Sequence, residues 1–188
     1  FTDDTVCTIA VAECLLDGSD PAVALRKWGQ RYPGRGYGGS YAVWLRDPKM
    51  GPYNSYGNGA AMRVNPAALL AGNLEEALRM ADHVTAVTHN HPEGLKGAAA
   101  TVTAIWLARQ RLAPEDIRER IQKDFGYNLS RSVDEIRAGY RFNETCQDTV
   151  PQAIVSANIG CIQHLQSGTG TPVRHWVEVL DDALAAAA

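Results

Sequence analysis

The chain has 188 residues, with 18 lysines and arginines against 21 aspartates and glutamates and a net charge of −3. This length suits a single domain, which we place at residues 1–188, and the lack of a basic excess argues against nucleic acid as a partner. Four cysteines without a CxxC pair favour reduced thiols and a cytoplasmic protein. No apolar stretch approaches the roughly 20 residues of a membrane span, so we expect no membrane contact, and we expect a monomer.

Apolar residues recur at helical intervals along most of the chain, beginning with "TVCTIAVAECLL" and "PAVALRKWGQRYP". Asn65 and Asn73 stand where helices begin and are predicted to cap them. No segment alternates with the two-residue period of a strand, so the sequence predicts an all-α fold. The predicted helices, in chain order, cover residues 5–16, 21–33, 65–72, 73–89, 93–111, 113–126, 132–140, 150–168 and 172–188.

Residues 34–59 interrupt this pattern, because glycine, tyrosine and proline dominate the stretch. Within it, only "YAVWLRD" is long enough for a turn or two of helix. Irregular segments of this length in compact domains are usually functional or disordered. We therefore expect this Gly-rich loop to lie over a ligand cleft, next to the glycine motif at its end.

The first residues, "FTDDT", place two adjacent carboxylates, Asp3 and Asp4, where the first apolar run begins. Capping a helix needs a single side-chain oxygen, and negative charge is favourable at a helix N-terminus. Carboxylates and a threonine hydroxyl are also the oxygen ligands that a hard cation prefers. Both interpretations, a helix cap and a metal site, stay open at this point.

The stretch "SYGNGAAMRVNP" flanks Asn58 with Gly57 and Gly59 just before a helix. Glycines that take positive φ can turn several backbone N–H groups toward one point and so bind an anion, phosphate above all. The alternative is a tight turn between helices. Arg63, just beyond, could pair with a phosphate or could serve as a surface arginine or in an internal ion pair.

The stretch "THNHPEGLKGAAATVTA" carries His89 and His91, but two histidines in a loop without a third nearby ligand make a poor zinc site. His89 is interpreted as ordering a loop or hydrogen-bonding a ligand, and Lys96 as reaching an anionic substrate or facing water. The run of small residues favours close helix packing.

The stretch "TCQDTVPQA" contains Cys146 without a histidine and acid nearby in sequence, which favours a buried structural cysteine over a nucleophile. Asp148 is open to two interpretations. It could cap the helix around Pro151, or it could be a polar group at a site.

In this order, "FTDDT", "GNGAAMRV", "THNHPEGLKG" and "CQDTVPQAI" resemble the ADP-ribosylglycohydrolase family. The resemblance spans Phe1 to about Ile154 and implies an orthogonal bundle of helices that holds two magnesium ions and removes ADP-ribose from its attachment point. It implies that the metal ligands are Thr2, Asp3 and Asp4, with Asp3 and Asp4 catalytic. It also implies that a diphosphate is cradled, beside His89 and Asn90, by Ser55, Tyr56, Gly57, Asn58 and Gly59.

The chain departs from the family pattern at both ends. The family carries an upstream GxxxGD-like helix, whereas this chain begins at its TDD motif, which suggests that a natural N-terminal segment is missing. The family also carries a late GGDxDT segment, and no DxD follows Ile154 here. Asp181 and Asp182 are interpreted as a solvated helix face. We therefore expect one magnesium ion, or none, to be firmly held.

Two functional hypotheses follow from the resemblance. The leading one is a magnesium-dependent hydrolase that removes ADP-ribose from modified protein or from a small ADP-ribosyl conjugate. The alternative is a catalytically impaired member that binds ADP-ribose or serves a structural role. Because the second ion lacks carboxylates on the opposite wall, we expect ADP-ribose binding with poor or no turnover.

Overall fold

The computed structural model describes residues 1–139 and 141–156 of the chain. Those ranges contain no β-strand, only an isolated bridge between Gly57 and Thr145, so the all-α prediction is confirmed. None of the helices in this part is both long and apolar enough to cross a bilayer. The helices are α1 Asp3–Asp17, α2 Pro21–Arg31, α3 Gly39–Arg46, α4 Asn65–Leu70, α5 Leu74–Ala86, α6 Pro92–Arg109, α7 Pro114–Phe125, α8 Val133–Gly139 and α9 Cys146–Ser156.

Local capping explains where several helices begin. The Asp20 carboxylate accepts from two backbone N–H groups of α2, and Pro21 occupies the first turn, where its missing N–H costs nothing. Asn73 caps α5 as predicted, because its side-chain oxygen accepts from a backbone N–H in the first turn. The prediction for Asn65 is wrong, since Asn65 lies within α4 and Val64 precedes the helix without a side-chain bond.

The last described helix starts earlier than the sequence predicts. It begins at Cys146 rather than at residue 150, and Pro151 lies inside it. Asp148 is in its first turn rather than before it, so the interpretation as a cap preceding the helix is wrong. Its carboxylate accepts from Asn143 Nδ2 at 2.5 Å and from Thr145 Oγ1 at 3.4 Å. The helices predicted beyond residue 156, with Asp181 and Asp182, lie outside the described residues.

The core is organised around α6, which packs against α4, α5, α7, α9 and a short 3₁₀ turn at Asn58–Ala60. The buried face of α6 consists mostly of small residues, as the sequence predicts. A Cβ atom added to Gly97 would lie 2.7 Å from the sulfur of Cys146 and 2.8 Å from its Cβ. The start of α9 therefore sits directly against the α6 backbone.

A second part of the core forms around α1, which packs against α2 and α4. The buried face of α1 carries Val6, Cys7, Ala10, Val11 and Cys14. This packing fixes the position of the first turn of α1, where the two carboxylates lie. Near this turn, the Asp3 backbone N–H donates to the Arg35 carbonyl at 2.9 Å, which ties the Gly-rich loop to α1.

We expect Gly97→Ala to lower the free energy of unfolding by about 1–3 kcal/mol, since the added methyl group overlaps the Cys146 side chain and forces α6 and α9 apart. Urea denaturation of both proteins measures the difference. The higher helix propensity of alanine, about 1 kcal/mol, works against this loss and reduces it.

The matched control is Gly51→Ala, because a Cβ atom at Gly51 meets nothing within 4 Å. We expect its stability to be unchanged or raised by up to about 1 kcal/mol, through a less flexible unfolded chain. Equal stabilities of Gly97→Ala and Gly51→Ala would contradict the close contact between α6 and α9.

Candidate functional site

A cavity of about 200 Å³ lies between the start of α1, the Gly-rich loop and the segment before α6. It brings together residues that are distant in sequence but were predicted to share a site. Ten of its sixteen lining residues come from the stretch 34–59, so the Gly-rich loop forms most of the cavity wall, and its position over a bound ligand stays a prediction. The lining residues are Asp3, Cys7, Gly36, Gly38, Gly39, Ser40, Tyr41, Tyr53, Ser55, Gly57, Asn58, Gly59, Met62, Arg63, His89 and Glu144.

The glycine motif is held rigidly by the segment that leads into α9. The Asn58 N–H donates to the Glu144 carbonyl at 2.7 Å, and the Cys146 N–H donates to the Tyr56 carbonyl at 2.9 Å. The Cys146 thiol also donates to the Gly57 carbonyl, at 3.2 Å. Cys146 is fully buried, and burial raises its pKa to about 12, so its predicted role as a structural thiol is supported by its surroundings.

The expectation of positive φ in this motif is wrong. Gly57 has φ −68°, and neither Gly57 nor Gly59 is among the left-handed glycines of the described residues. Their lack of a side chain matters instead, because a Cβ atom on Gly59 would lie 2.9 Å from Nε2 of His89. The glycines allow the imidazole to approach the loop.

The His89 side chain is 5% exposed, and its Nδ1 atom lies 2.7 Å from the hydroxyl of Thr88. Burial, with a smaller effect from the Arg63 guanidinium, lowers the pKa of His89 to about 3. The imidazole is therefore neutral at physiological pH.

Arg63 is fully buried, so its interpretation as a surface arginine is wrong. Its Nη2 atom donates to the carbonyls of Val84 and Thr85 at 3.2 and 3.4 Å, and to the Thr88 hydroxyl at 2.7 Å. The two carbonyls belong to the last turn of α5, where a cation is favoured by the helix dipole. The Nε and Nη1 atoms have no partner among the described residues, and no carboxylate in that part of the chain forms an ion pair with Arg63.

The first turn of α1 separates its two carboxylates. Asp3 is half-buried and lines the cavity, and burial, with a smaller effect from Asp4, raises its pKa. Asp4 is exposed and is not among the lining residues; it accepts from the Thr2 hydroxyl at 2.9 Å. Thr2 precedes the helix but makes no side-chain cap bond. Asp3 and Asp4 lie inside the first turn of α1, so neither carboxylate occupies the capping position that was one of the two interpretations.

The donor atoms of Thr2, Asp3 and Asp4 are all oxygens, which fits a single hard cation completed by water. Within residues 1–139 and 141–156, no three His, Cys, Asp or Glu side chains come together as a metal site. The second ion implied by the family resemblance would need ligands other than those described.

The remaining predicted residues are close to the cavity but take different roles. Tyr56 is half-exposed, with its ring 5.3 Å from that of His91. The Asn90 side chain accepts from the Asn54 backbone N–H at 2.8 Å, which orders the end of the Gly-rich loop. His91 caps α6, since its Nδ1 accepts from the Glu93 N–H at 3.1 Å.

Two residues considered for the site lie elsewhere. Lys96 and Asp148 line a separate cavity of about 420 Å³, between α6, α8 and α9. Lys96 lies 3.5 Å from the Glu93 carboxylate and 4.6 Å from the centre of the Tyr127 ring. Conversely, sequence reasoning missed three lining residues of the first cavity that lie outside the Gly-rich loop, Cys7, Met62 and Glu144, because nothing in their local pattern distinguishes them from core or loop residues.

The helical fold thus places an acidic helix start, a glycine motif and a buried histidine around one cavity. The family model for ADP-ribosylglycohydrolase matches residues 1–187. The chain belongs to the ADP-ribosylglycohydrolase family.

Two kinds of curated protein match the chain: ADP-ribosylhydrolases over more than half of it, and an iron-sulfur subunit over a short stretch. The chain is similar to ADP-ribosylhydrolase ARH3 of Mus musculus, with 30% identity over 135 residues, which are 62% of this chain and 36% of that protein. It is 28% identical to ADP-ribosylhydrolase ARH3 of Danio rerio over 155 residues, 72% of this chain and 40% of that protein. The chain therefore spans less than half the length of these relatives. A 34-residue stretch, 18% of the chain, is 56% identical to the glycolate oxidase iron-sulfur subunit of Escherichia coli and covers 8% of it, which is too little to assign a role.

The low pKa of His89 predicts a specific dependence of stability on pH. An unfolded histidine titrates near pH 6.5, whereas folded His89 titrates near pH 3, so between these values the unfolded chain binds one proton more. We expect His89 to reduce the free energy of unfolding by up to about 1.4 kcal/mol for each pH unit below 6.5. Urea denaturation between pH 7 and pH 5 measures the slope.

The variants His89→Gln and His89→Asn do not titrate in this range, so their stabilities should fall less steeply than that of the wild type. Because glutamine and asparagine differ in size, an effect that both variants share comes from the loss of the imidazole rather than from a change in packing. Parallel curves for all three proteins would mean that folded His89 also takes up a proton near pH 6.5.

Proposed function

We propose that this chain binds ADP-ribose in the 200 Å³ cavity and, with Mg²⁺, hydrolyses the bond between ADP-ribose and a modified protein or a small conjugate. The observation that carries the proposal is the convergence of Asp3, Asn58, Gly59 and His89 on one cavity. These residues come from three motifs of the family resemblance that lie far apart in the sequence. Family membership and the similarity to two ADP-ribosylhydrolases support the same function.

The charges around the cavity support a ligand that is an anion at one end. The buried Arg63 guanidinium borders the cavity with two nitrogen atoms unpartnered and no carboxylate paired to it in the described residues. A buried unpaired charge is costly, and a diphosphate would offset part of that cost. The glycine motif lines the same cavity, and its two glycines carry no side chain that would keep a phosphate away from the backbone.

The carboxylates at the start of α1 support a cation site there. Burial and the neighbouring carboxylate of Asp4 both raise the pKa of Asp3, with a smaller contribution from Glu144. A cation held by Thr2, Asp3 and Asp4 would relieve this repulsion. When bound, a magnesium ion supplies Lewis-acid polarisation of ligand oxygens.

The protein's own groups define the rest of the chemistry. Asp3 places its carboxylate in the cavity, where it can accept a hydrogen bond or a proton from a ligand hydroxyl. His89 remains neutral at pH 7, which argues against a role as a charged general acid. The Gly-rich loop lines the cavity and would limit the contact of a bound ligand with water.

The second candidate is a catalytically impaired member that binds ADP-ribose. It is favoured by the absence, within the described residues, of any group of three metal-ligating side chains. Two catalytic ions need more oxygen ligands than Thr2, Asp3 and Asp4 offer. Both candidates require ADP-ribose to bind, and they differ in turnover.

Two experiments test the proposal. The chain is titrated with ADP-ribose in the presence and absence of magnesium to measure binding, and the release of ADP-ribose from a modified peptide is assayed to measure turnover. We expect ADP-ribose to bind and magnesium to strengthen the binding. Asp3→Asn should abolish the effect of magnesium, because it removes the carboxylate that lines the cavity. Magnesium-dependent release supports the hydrolase, and binding without release supports the impaired member.

The control for Asp3→Asn is Asp82→Asn, which removes the same charge from the exposed face of α5. Its binding curves should match those of the wild type. A wild-type chain that is folded but does not bind ADP-ribose would contradict both candidates.

Gly59→Ala provides a separate test of where ADP-ribose binds. The added methyl group would meet Nε2 and Cε1 of His89 at 2.9 and 3.0 Å and push the imidazole and the loop apart. We expect ADP-ribose affinity to fall about tenfold or more, close to 1.4 kcal/mol, measured by calorimetry. Gly51→Ala, which meets no neighbour, should leave the affinity unchanged. Equal affinities for the two variants would place the ligand away from the glycine motif.

A further inference from the structure

Three buried side chains, Arg63, Thr88 and His89, form a continuous series of hydrogen bonds behind the glycine motif. Arg63 and Thr88 are fully buried and His89 is 5% exposed. The Arg63 Nη2 atom lies 2.7 Å from Thr88 Oγ1, which in turn lies 2.7 Å from His89 Nδ1. Arg63 and His89 line the cavity, whereas Thr88 lies behind it and connects them.

The direction of these hydrogen bonds follows from what each group can do. A guanidinium only donates, so the Thr88 oxygen accepts from Arg63. The Thr88 hydroxyl has a single proton of its own, and the acceptor that residues 1–139 and 141–156 offer it is His89 Nδ1. A proton on Nδ1 would leave the hydroxyl proton buried without an acceptor, at a cost of about 1–3 kcal/mol. Nδ1 is therefore the acceptor, and the imidazole proton is on Nε2.

The protonated Nε2 atom points toward the glycine motif. A Cβ atom on Gly59 would lie 2.9 Å from Nε2, and one on Gly57 would lie 3.7 Å from it. The absence of side chains at these two positions keeps the space beside Nε2 open. The imidazole stays neutral here because burial and the nearby guanidinium disfavour a second positive charge.

We propose that Thr88 and Arg63 are positioning residues that hold His89 in the neutral Nε2–H tautomer, so that Nε2 donates a hydrogen bond to a diphosphate oxygen of the ligand at the glycine motif. The ligand half of this inference rests on the proposed function, whereas the tautomer is a property of the chain alone. The arrangement gives the anion a fixed donor whose protonation does not change near neutral pH.

The tautomer is measured directly by long-range ¹H–¹⁵N correlation on the full chain with ¹⁵N-labelled histidine. We expect the ¹⁵N shift of a non-protonated nitrogen at His89 Nδ1 and that of a protonated nitrogen at Nε2. A proton on Nδ1 in the wild type would overturn the proposal, whatever the variants do. On addition of ADP-ribose, the Nε2 proton should shift downfield, and an unchanged resonance in the saturated complex would overturn its contact with the ligand.

Thr88→Val tests the role of the hydroxyl, because it removes the donor to Nδ1 while keeping the shape of the side chain. We expect His89 to lose its single tautomer and ADP-ribose affinity to fall about tenfold. Thr88→Ser keeps the hydroxyl, so it should retain the tautomer and bind within about threefold of the wild type. A purely structural role for Thr88 would lower stability in Thr88→Val without changing the tautomer, and this outcome would overturn the proposal.

Two further outcomes have distinct meanings. If Thr88→Val does not fold, the wild type and Thr88→Ser still decide the matter, since both must show the Nε2–H form. If the folded wild type shows this form but does not bind ADP-ribose, the proposed function and the ligand contact fail together. In that case the assignment of the tautomer to Thr88 and Arg63 stands.

Discussion

The close contact between the small-residue face of α6 and its neighbours is the constraint on which the cavity depends. Gly97 lets the Cys146 side chain rest on the α6 backbone, and a Cβ atom on Gly94 would lie only 2.8 Å from the Ser55 carbonyl. Cys146 in turn holds the Gly57 and Tyr56 carbonyls through its thiol and its backbone N–H. The glycine motif is thus fixed between two helices, and its distance from His89 is set by helix packing rather than by the loop itself.

The second organising feature is the pair of opposite charges that line the cavity. One is the buried guanidinium of Arg63, which contacts the end of α5, and the other is the half-buried carboxylate of Asp3. The α5 carbonyls and the Thr88 hydroxyl satisfy part of Arg63, whereas its Nε and Nη1 atoms are buried without a partner among the described residues. Opposite charges of this kind suit a ligand that carries a diphosphate near Arg63 and meets a cation near Asp3.

Much of the fold could be predicted from local signals. The all-α class follows from the 3.6-residue period, and the cap at Asn73 follows from its side chain. The two-turn helix within the Gly-rich loop was predicted from the run "YAVWLRD", residues 41–47, and the structure shows it at Gly39–Arg46. Boundaries were less predictable. The start of α9 at Cys146 depends on contacts with α6 and with the Tyr56 carbonyl, which are distant in sequence.

The sequence by itself determined the helical class, the membership of Asp3, Asn58 and His89 in motifs of one family, and the small-residue face of α6, because these depend on residue type and short-range spacing. Only the tertiary structure decided that Asp3 lines the cavity while Asp4 remains exposed, that Arg63 is buried and lines the same cavity as His89, and that Asp148 belongs to a different cavity. It also showed that Gly57 and Gly59 do not adopt a positive φ, and that glycine is needed there because a side chain would approach His89. Burial, hydrogen-bond direction and steric clearance arise between residues far apart in the chain, and a local pattern does not encode them.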